Sequence, residues 1–189
     1  MNADPLRSPD LPVGQADRIA ASEAACIDLA RQLAAQVADP EIPVINLQEL
    51  GILRDVQLQG DEIVVTLTPT YTGCPATEVI RDDVLQALRS GGIANARVQL
   101  SLAPPWTTDW ITAEGRRKLR EYGIAPPAPT RATHDEAVIR IVARKTASPG
   151  CPQCGSHQTE RLSEHGSTPC KALYRCLVCR EPFDYFKPY

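Results

Sequence analysis

Apolar residues recur at steps of three and four positions between residues 19 and 37, and this spacing predicts an amphipathic helix. The positions on its apolar face are Ile19, Cys26, Ile27, Ala30, Leu33 and Val37. The helix is expected to end in the segment Asp39–Val44, because proline pushes the residue before it out of the α region. Since Cys26 lies on the apolar face, we expect its side chain to fill the core.

After this helix, alternating and helical patterns follow one another as far as residue 122. The predicted elements are a strand at Leu53–Leu58, a hairpin loop at 59–61, a strand at Ile63–Thr68, a helix from Pro75 to the glycines at 91–92, a strand at Ala96–Leu102 and a helix at Ala113–Tyr122. A short helical turn is also expected before Gly51. This order is typical of a small α+β fold in which helices pack on a sheet.

The same pattern divides the chain into four parts. We predict a disordered tail over residues 1–18, the α+β domain over 19–123, a Pro-rich linker over 124–136 and a second domain over 137–189 that begins with a strand at Ala137–Ala143.

Composition narrows the possible partners and the compartment. The chain has 189 residues and a formal net charge of -3, and this acidic balance argues against nucleic acid or an anionic membrane as a partner. No apolar run approaches the roughly 18 residues of a membrane span, and the N-terminus lacks the pattern of a signal peptide. We therefore expect a cytoplasmic protein whose 7 cysteines serve as metal ligands or free thiols rather than disulfides.

The strongest chemical signal is a pair of C-x-x-C motifs near the C-terminus. Cys151 and Cys154 form the first pair, and Cys176 and Cys179 form the second about 20 residues later. This spacing predicts a zinc ribbon with a closed, structural site of four thiolates; iron is the second choice of metal. The histidines at 157 and 165 are expected to be bystanders.

A second candidate thiol lies where a predicted strand meets a predicted helix. Cys74 stands just before Pro75, a residue suited to the first position of a helix, so the thiol is expected at or next to the helix N-cap. The helix dipole and unpaired N–H groups there favour a thiolate, which is a better nucleophile and soft-metal ligand than a thiol. A space-filling role for Cys74 stays open.

Other residues have two interpretations each. Asp39 and Glu41 flank Pro40 and either bind a cation or stabilise a turn. Cys170 is either a second reactive thiol, with a pKa lowered by Lys171, or a buried ribbon residue. The aromatic residues Trp106, Trp110, Phe183, Tyr185 and Phe186 either cover the chain's own core or contact a partner.

Several of these motifs together resemble a known family. Asp39–Glu41, Leu50–Ile52 and Thr72–Pro75 are similar to the iron–sulfur assembly domain of SufT-like proteins. With the segments Pro69–Ala76, Ala103–Trp110 and Glu181–Lys187 and the ribbon cysteines, nearly everything after residue 20 resembles the PaaD family, which accompanies the multicomponent phenylacetyl-CoA epoxidase.

The resemblance implies an accessory factor of aerobic phenylacetate breakdown that assists assembly of an iron–sulfur or diiron centre. Its implied partners are the oxygenase or reductase components and the iron–sulfur assembly machinery. Cys74, Asp39 and Glu41 match the family's characteristic positions, and transient iron or a cluster is the implied cargo. A non-catalytic structural subunit of the oxygenase is the alternative. We expect no active site of its own, because no histidine is placed near Cys74 to act as a base.

Overall fold

The structure of the chain is a computed structural model that describes residues 13–128 and 148–188. Its first part follows the predicted order of elements: α1 (Val13–Ala35), β1 (Leu53–Gln59), β2 (Glu62–Leu67), α2 (Ala76–Ser90), β3 (Ala96–Leu100) and α3 (Ala113–Glu121). The α+β prediction is thus confirmed. The predicted strand at Ala137–Ala143 lies outside the described residues, as does most of the predicted tail and linker.

The first sheet has three strands in the order β1-β2-β3. A tight hairpin joins β1 to β2 in antiparallel pairing, whereas β2 and β3 pair in parallel. Parallel neighbours need a crossover connection, and α2 supplies it. This topology places the C-terminal end of the central strand β2 next to the start of α2, and residues 68–75 connect them.

Helices α1 and α2 pack against the sheet and against each other. The buried stripe of α2 consists of Ala76, Ile80, Val84 and Leu88, as its spacing predicted. On the sheet, Val56, Ile63, Val65 and Leu67 join the same core. Burial of these aliphatic side chains is the main favourable contribution to the stability of this part.

The segment between α1 and β1 also packs in the core. Ile42, Ile45, Leu47 and Leu50 are all nearly fully buried there. Gly51 follows with φ +76°, and a Cβ at this position would lie 2.6 Å from the backbone oxygen of Trp110. Only glycine satisfies both constraints, so Gly51 fixes the loop around Trp110 against this segment.

The second sheet is built mostly from the C-terminal part and has the order β4-β7-β6-β5. Its strands are β4 (Ile124–Ala125), β5 (Thr159–Ser163), β6 (Lys171–Cys176) and β7 (Pro182–Phe186). The two-residue strand β4 pairs in parallel with Asp184 and Tyr185 of β7. Because β4 directly follows α3, the ribbon is attached to the first part by backbone hydrogen bonds.

Two boundaries differ from the sequence prediction. Helix α1 begins at Val13, inside the predicted tail of residues 1–18. Strand β4 lies inside the predicted linker of residues 124–136. The first difference arises because residues 13–18 show little apolar periodicity, and the second because a two-residue strand is defined only by its distant partner.

Candidate metal sites

The four ribbon cysteines converge on one point. One sulfur from each of Cys151, Cys154, Cys176 and Cys179 lies within 4.8 Å of the other three. The Sγ atoms of Cys151 and Cys179 are 3.7 Å apart, and those of Cys154 and Cys176 are 3.6 Å apart. A tetrahedral ion with metal–sulfur bonds of about 2.3 Å separates its sulfurs by about 3.8 Å. The four thiols therefore fit a tetrahedral metal ion.

The surrounding backbone favours sulfur in its charged form. The N–H of Val178 donates to Cys176 Sγ over 3.4 Å. Backbone donation from Cys179 and then from Val178 lowers the pKa of Cys176 to about 6. The core next to these cysteines is thin: Ala125 and Phe183 are its only buried members besides Cys151 and Cys176 among the described residues. A bound metal would thus supply much of the ribbon's cohesion.

Neither histidine of the ribbon belongs to this cluster. A ring nitrogen of His157 lies 3.1 Å from the Ser148 carbonyl oxygen, and the side chain of His165 is exposed.

Cys74 lies immediately before the N-terminus of α2. Pro75 is the N-cap residue, with helical φ and ψ, and the Thr77 N–H donates to the Cys74 carbonyl over 3.2 Å. The predicted placement within one residue of the cap is what the structure shows. Its side chain is partly buried and packs beside the core of the first part.

Cys74 opens onto a cleft that also holds Asp39, Glu41 and Cys170. The rest of the lining is mostly apolar and includes Ile80 and Phe186. The free volume is about 20 Å³, enough for roughly one water-sized guest. Four groups with metal-ligand chemistry, drawn from three separate segments, therefore line one small space. Among the described residues, however, only the ribbon cysteines bring three or more ligand atoms within 4.8 Å of one another.

Asp39 holds the turn that forms one wall of the cleft. Its Oδ1 accepts hydrogen bonds from the N–H groups of Glu41 and Ile42, at 2.8 and 2.9 Å. Burial raises the pKa of Asp39 above its ordinary value, and these two bonds oppose the rise without cancelling it. The turn-stabilising role that the sequence left open is thus present in the structure.

Glu41 and Tyr71 each interact with a thiol of this region. The Cys170 thiol donates toward Glu41 Oε2 over 3.7 Å. Burial, followed by the charge of Cys74, raises the pKa of Tyr71 well above its ordinary value, and Glu41 and Cys170 act in the same direction. Tyr71 therefore stays a neutral phenol beside Cys74.

The pKa of Cys170 is raised, although its neighbour Lys171 was expected to lower it. Burial raises the pKa of Cys170 to about 11, outweighing the opposing effects of Thr168 and Lys171. Lys171 thus acts in the predicted direction, but burial has the larger effect, so the structure favours a buried Cys170 over one with a lowered pKa. Lys171 is itself buried and pairs with Asp184, with Nζ 3.6 Å from Asp184 Oδ2.

Two family matches cover the regions that carry these sites. Residues 31–100 match the family described as iron–sulfur cluster assembly protein, and residues 135–187 match the PaaD zinc beta ribbon domain. A putative 1,2-phenylacetyl-CoA epoxidase subunit from Escherichia coli K12 is 48% identical over 156 residues, which cover 82% of this chain and 88% of that protein. The chain belongs to the PaaD family.

Two further relatives match the first part of this PaaD-family chain. A protein named Fe-S protein maturation auxiliary factor from Porphyromonas gingivalis is 36% identical over 49% of this chain and 88% of its own length. A factor of the same name, YitW from Bacillus subtilis, is 37% identical over 39% of this chain and 74% of its own length.

The partner-contact candidates of this PaaD-family chain need correction. Trp106, Phe183 and Phe186 are 4%, 5% and 1% exposed, so they pack within the chain instead of facing a partner. The rings of Trp106 and Phe186 lie 5.9 Å apart and join the ribbon to the first part. Trp110 and Tyr185 are partly exposed, and the Arg54 guanidinium lies 3.5 Å from the centre of the Trp110 ring.

Sequence reasoning missed that Cys170 and Cys74 share a cleft in this PaaD-family chain. The pair could have been suggested by elimination. Four cysteines are assigned to the ribbon and Cys26 to a helix face, so Cys74 and Cys170 are the two that remain. The sequence does not show that the fold brings these two residues, 96 positions apart, into one cleft.

Among the described helices, none combines the length and apolar character needed to cross a membrane.

Proposed function

We propose that this PaaD-family protein is an accessory factor of a 1,2-phenylacetyl-CoA epoxidase system. In this role it handles iron at Cys74 for assembly of an iron–sulfur or diiron centre in another component. The observation that carries the proposal is the position of Cys74 in a cleft with Asp39 and Glu41. The names of the relatives support it, since one is a putative epoxidase component and two are maturation factors.

The chemistry of the cleft suits transient handling of iron. Sulfur and carboxylate donors together bind Fe²⁺. Neither described histidine lies in the cleft lining and the Tyr71 phenol is held neutral, so the groups available as ligands there are the thiols and carboxyl groups. We therefore propose a non-enzymatic role in which iron is the cargo.

In the same proposal the ribbon cysteines hold one structural zinc ion. Their donor set of four sulfurs and their mutual distances support zinc, which prefers tetrahedral thiolate sites. Trp110 and Tyr185 are the remaining candidates for contact with an oxygenase or reductase component.

The test is maturation of the epoxidase components in cells that co-express wild-type protein, Cys74→Ala or Cys26→Ala. Cys26 is a matched control, because it is also partly buried but lies on α1 away from the cleft. We expect Cys74→Ala to lower iron and acid-labile sulfide in the purified components by about tenfold or more, with Cys26→Ala unchanged. Unchanged iron in Cys74→Ala, together with stoichiometric co-elution, would instead support a structural subunit.

A further inference from the structure

Cys170 belongs to the ribbon in sequence but to the first part in packing. Its side chain is 4% exposed and lies in the same core cluster as Ile42, Leu50 and Ile80. The Lys187 N–H donates to the Cys170 carbonyl over 2.9 Å, so the residue after β7 holds Cys170 in place from behind. Cys170 is therefore a fixed ribbon residue that projects into the first domain.

Cys170 also meets polar groups there. Its sulfur lies 3.7 Å from Glu41 Oε2 and 3.0 Å from the Thr168 hydroxyl, and it shares the cleft with Cys74. A cysteine that only filled space would be expected among apolar side chains alone. This one faces a carboxylate and a second thiol across a space of about 20 Å³.

The charges around this space favour a cation. The carboxyl groups of Asp39 and Glu41 line it together with the thiols of Cys74 and Cys170. The nearby cation of Lys171 pairs with Asp184, with Nζ 3.6 Å from Asp184 Oδ2. Carboxyl groups and thiols gathered in one cleft attract a metal ion, which stabilises their charged forms.

We infer that Cys170 is a second thiol ligand of the cargo site, so that one divalent ion of the Fe²⁺ class is held between the two domains by Cys74, Cys170 and Glu41. The inference rests on the proposed function and adds the ribbon as a source of ligand. On binding, each thiol exchanges its S–H bond for a sulfur–metal bond and releases one proton to solvent, with no change of oxidation state. The small volume favours a single ion over a preformed cluster, and thiolate donors select against Mg²⁺ and Ca²⁺.

The test uses the full chain with its ribbon loaded with zinc, kept without oxygen, and Co²⁺ as the probe ion. Thiolate ligands give Co²⁺ a charge-transfer absorption whose intensity scales with their number. We expect wild type to bind one Co²⁺ with the intensity of two thiolates, without release of zinc. Cys170→Ser is expected to halve the intensity and weaken binding by about tenfold or more, whereas Cys26→Ser leaves both unchanged.

The variants separate the two proposals. If Cys170→Ser binds Co²⁺ like wild type while Cys74→Ala does not, the ribbon ligand is overturned and the proposed function stands. If neither variant changes binding, both fail at this cleft. Because Cys170 is buried, Glu41→Gln serves as a second variant: it changes a side chain at the cleft surface, and we expect it to weaken Co²⁺ binding while keeping the two-thiolate intensity. Wild-type affinity in Glu41→Gln would contradict the inferred ligand set.

Discussion

In the ribbon, four thiols from two short turns converge with sulfurs 3.6 and 3.7 Å apart, and backbone N–H groups lower the pKa of Cys176 to about 6. In the cleft, Cys74 and Cys170 come from different domains, and burial raises the pKa of Cys170 to about 11. The pKa of the ribbon thiol Cys179 is also raised, so the two regions differ in geometry rather than in thiol charge. The ribbon sulfurs already converge through local turns, whereas the cleft thiols meet only because two domains pack together. This contrast is the basis for proposing a resident metal in the ribbon and an exchangeable one in the cleft.

The largest effect is expected from removing the ribbon's metal. Cys176→Ser, or a strong chelator, should unfold the ribbon, because apparent binding energies of structural zinc are about 10–16 kcal/mol and the ribbon core is thin. Residues 151–186 should lose amide hydrogen-exchange protection, and Cys74 should become more reactive to alkylation as Cys170 and Phe186 leave the cleft. The measurements are zinc content, hydrogen exchange and alkylation followed by mass spectrometry.

Cys26→Ser is the control for this experiment and should keep its zinc and its exchange protection. A metal-free ribbon that retained full protection would show that its own packing suffices. The contrast between a metal-dependent ribbon and a metal-independent first domain would then be lost.

The two sites also differ in how much of them could be predicted from sequence. The ribbon site was readable because each C-x-x-C pair is a local turn, so spacing alone determines which sulfurs meet. Helices α2 and α3 and strands β1 and β2 were readable for a similar reason, since their periodic apolar faces are local patterns.

Only part of the cleft could be predicted from the sequence, because the cleft is assembled by tertiary packing. The sequence singled out Cys74 from its position before Pro75, and Asp39 and Glu41 from the turn at Pro40. It could not show that Cys170 joins them, since this depends on β4 pairing with β7 about 60 residues away. For the same reason the sequence left open whether Phe186 covers the core or contacts a partner; its ring packs against Trp106.

Two variants, Phe186→Ala and Phe183→Ala, form the next comparison, and the expected effect is smaller than that of removing the ribbon's metal. Phe186 lies in the core of the first domain and Phe183 in the ribbon's own core, although both belong to β7. Removing a buried Phe ring typically costs about 3–5 kcal/mol. Both tryptophans lie in the first domain, so denaturant unfolding followed by Trp fluorescence reports on that domain.

We expect Phe186→Ala to lower the free energy of unfolding of the first domain, followed by Trp fluorescence, by about 3–5 kcal/mol. Phe183→Ala should change it far less. Equal shifts in the two variants would mean that the domains unfold as one unit. The ribbon would then act as a fixed part of the cleft rather than as a separable source of Cys170.

The smallest effect concerns the buried carboxylate of Asp39. Asp39→Asn keeps an oxygen to accept from the Glu41 and Ile42 N–H groups but removes the charge that burial disfavours. Because the folded pKa of Asp39 is raised, the wild-type carboxyl supports folding fully below its unfolded pKa of about 3.9. This support is lost as the pH rises through the folded pKa.

In zinc-loaded protein without added iron, the stability of Asp39→Asn relative to wild type should therefore increase between about pH 4 and neutral pH, and then level off. Denaturant titrations at a series of pH values measure this difference. Asp39→Ala, which loses both hydrogen bonds, should instead be less stable by on the order of 1–3 kcal/mol throughout. If the wild-type protein instead became more stable relative to Asp39→Asn as the pH rises, the two N–H bonds would outweigh burial. The Asp39 carboxyl would then resemble Cys176 of the ribbon, whose charged form is favoured by backbone N–H groups.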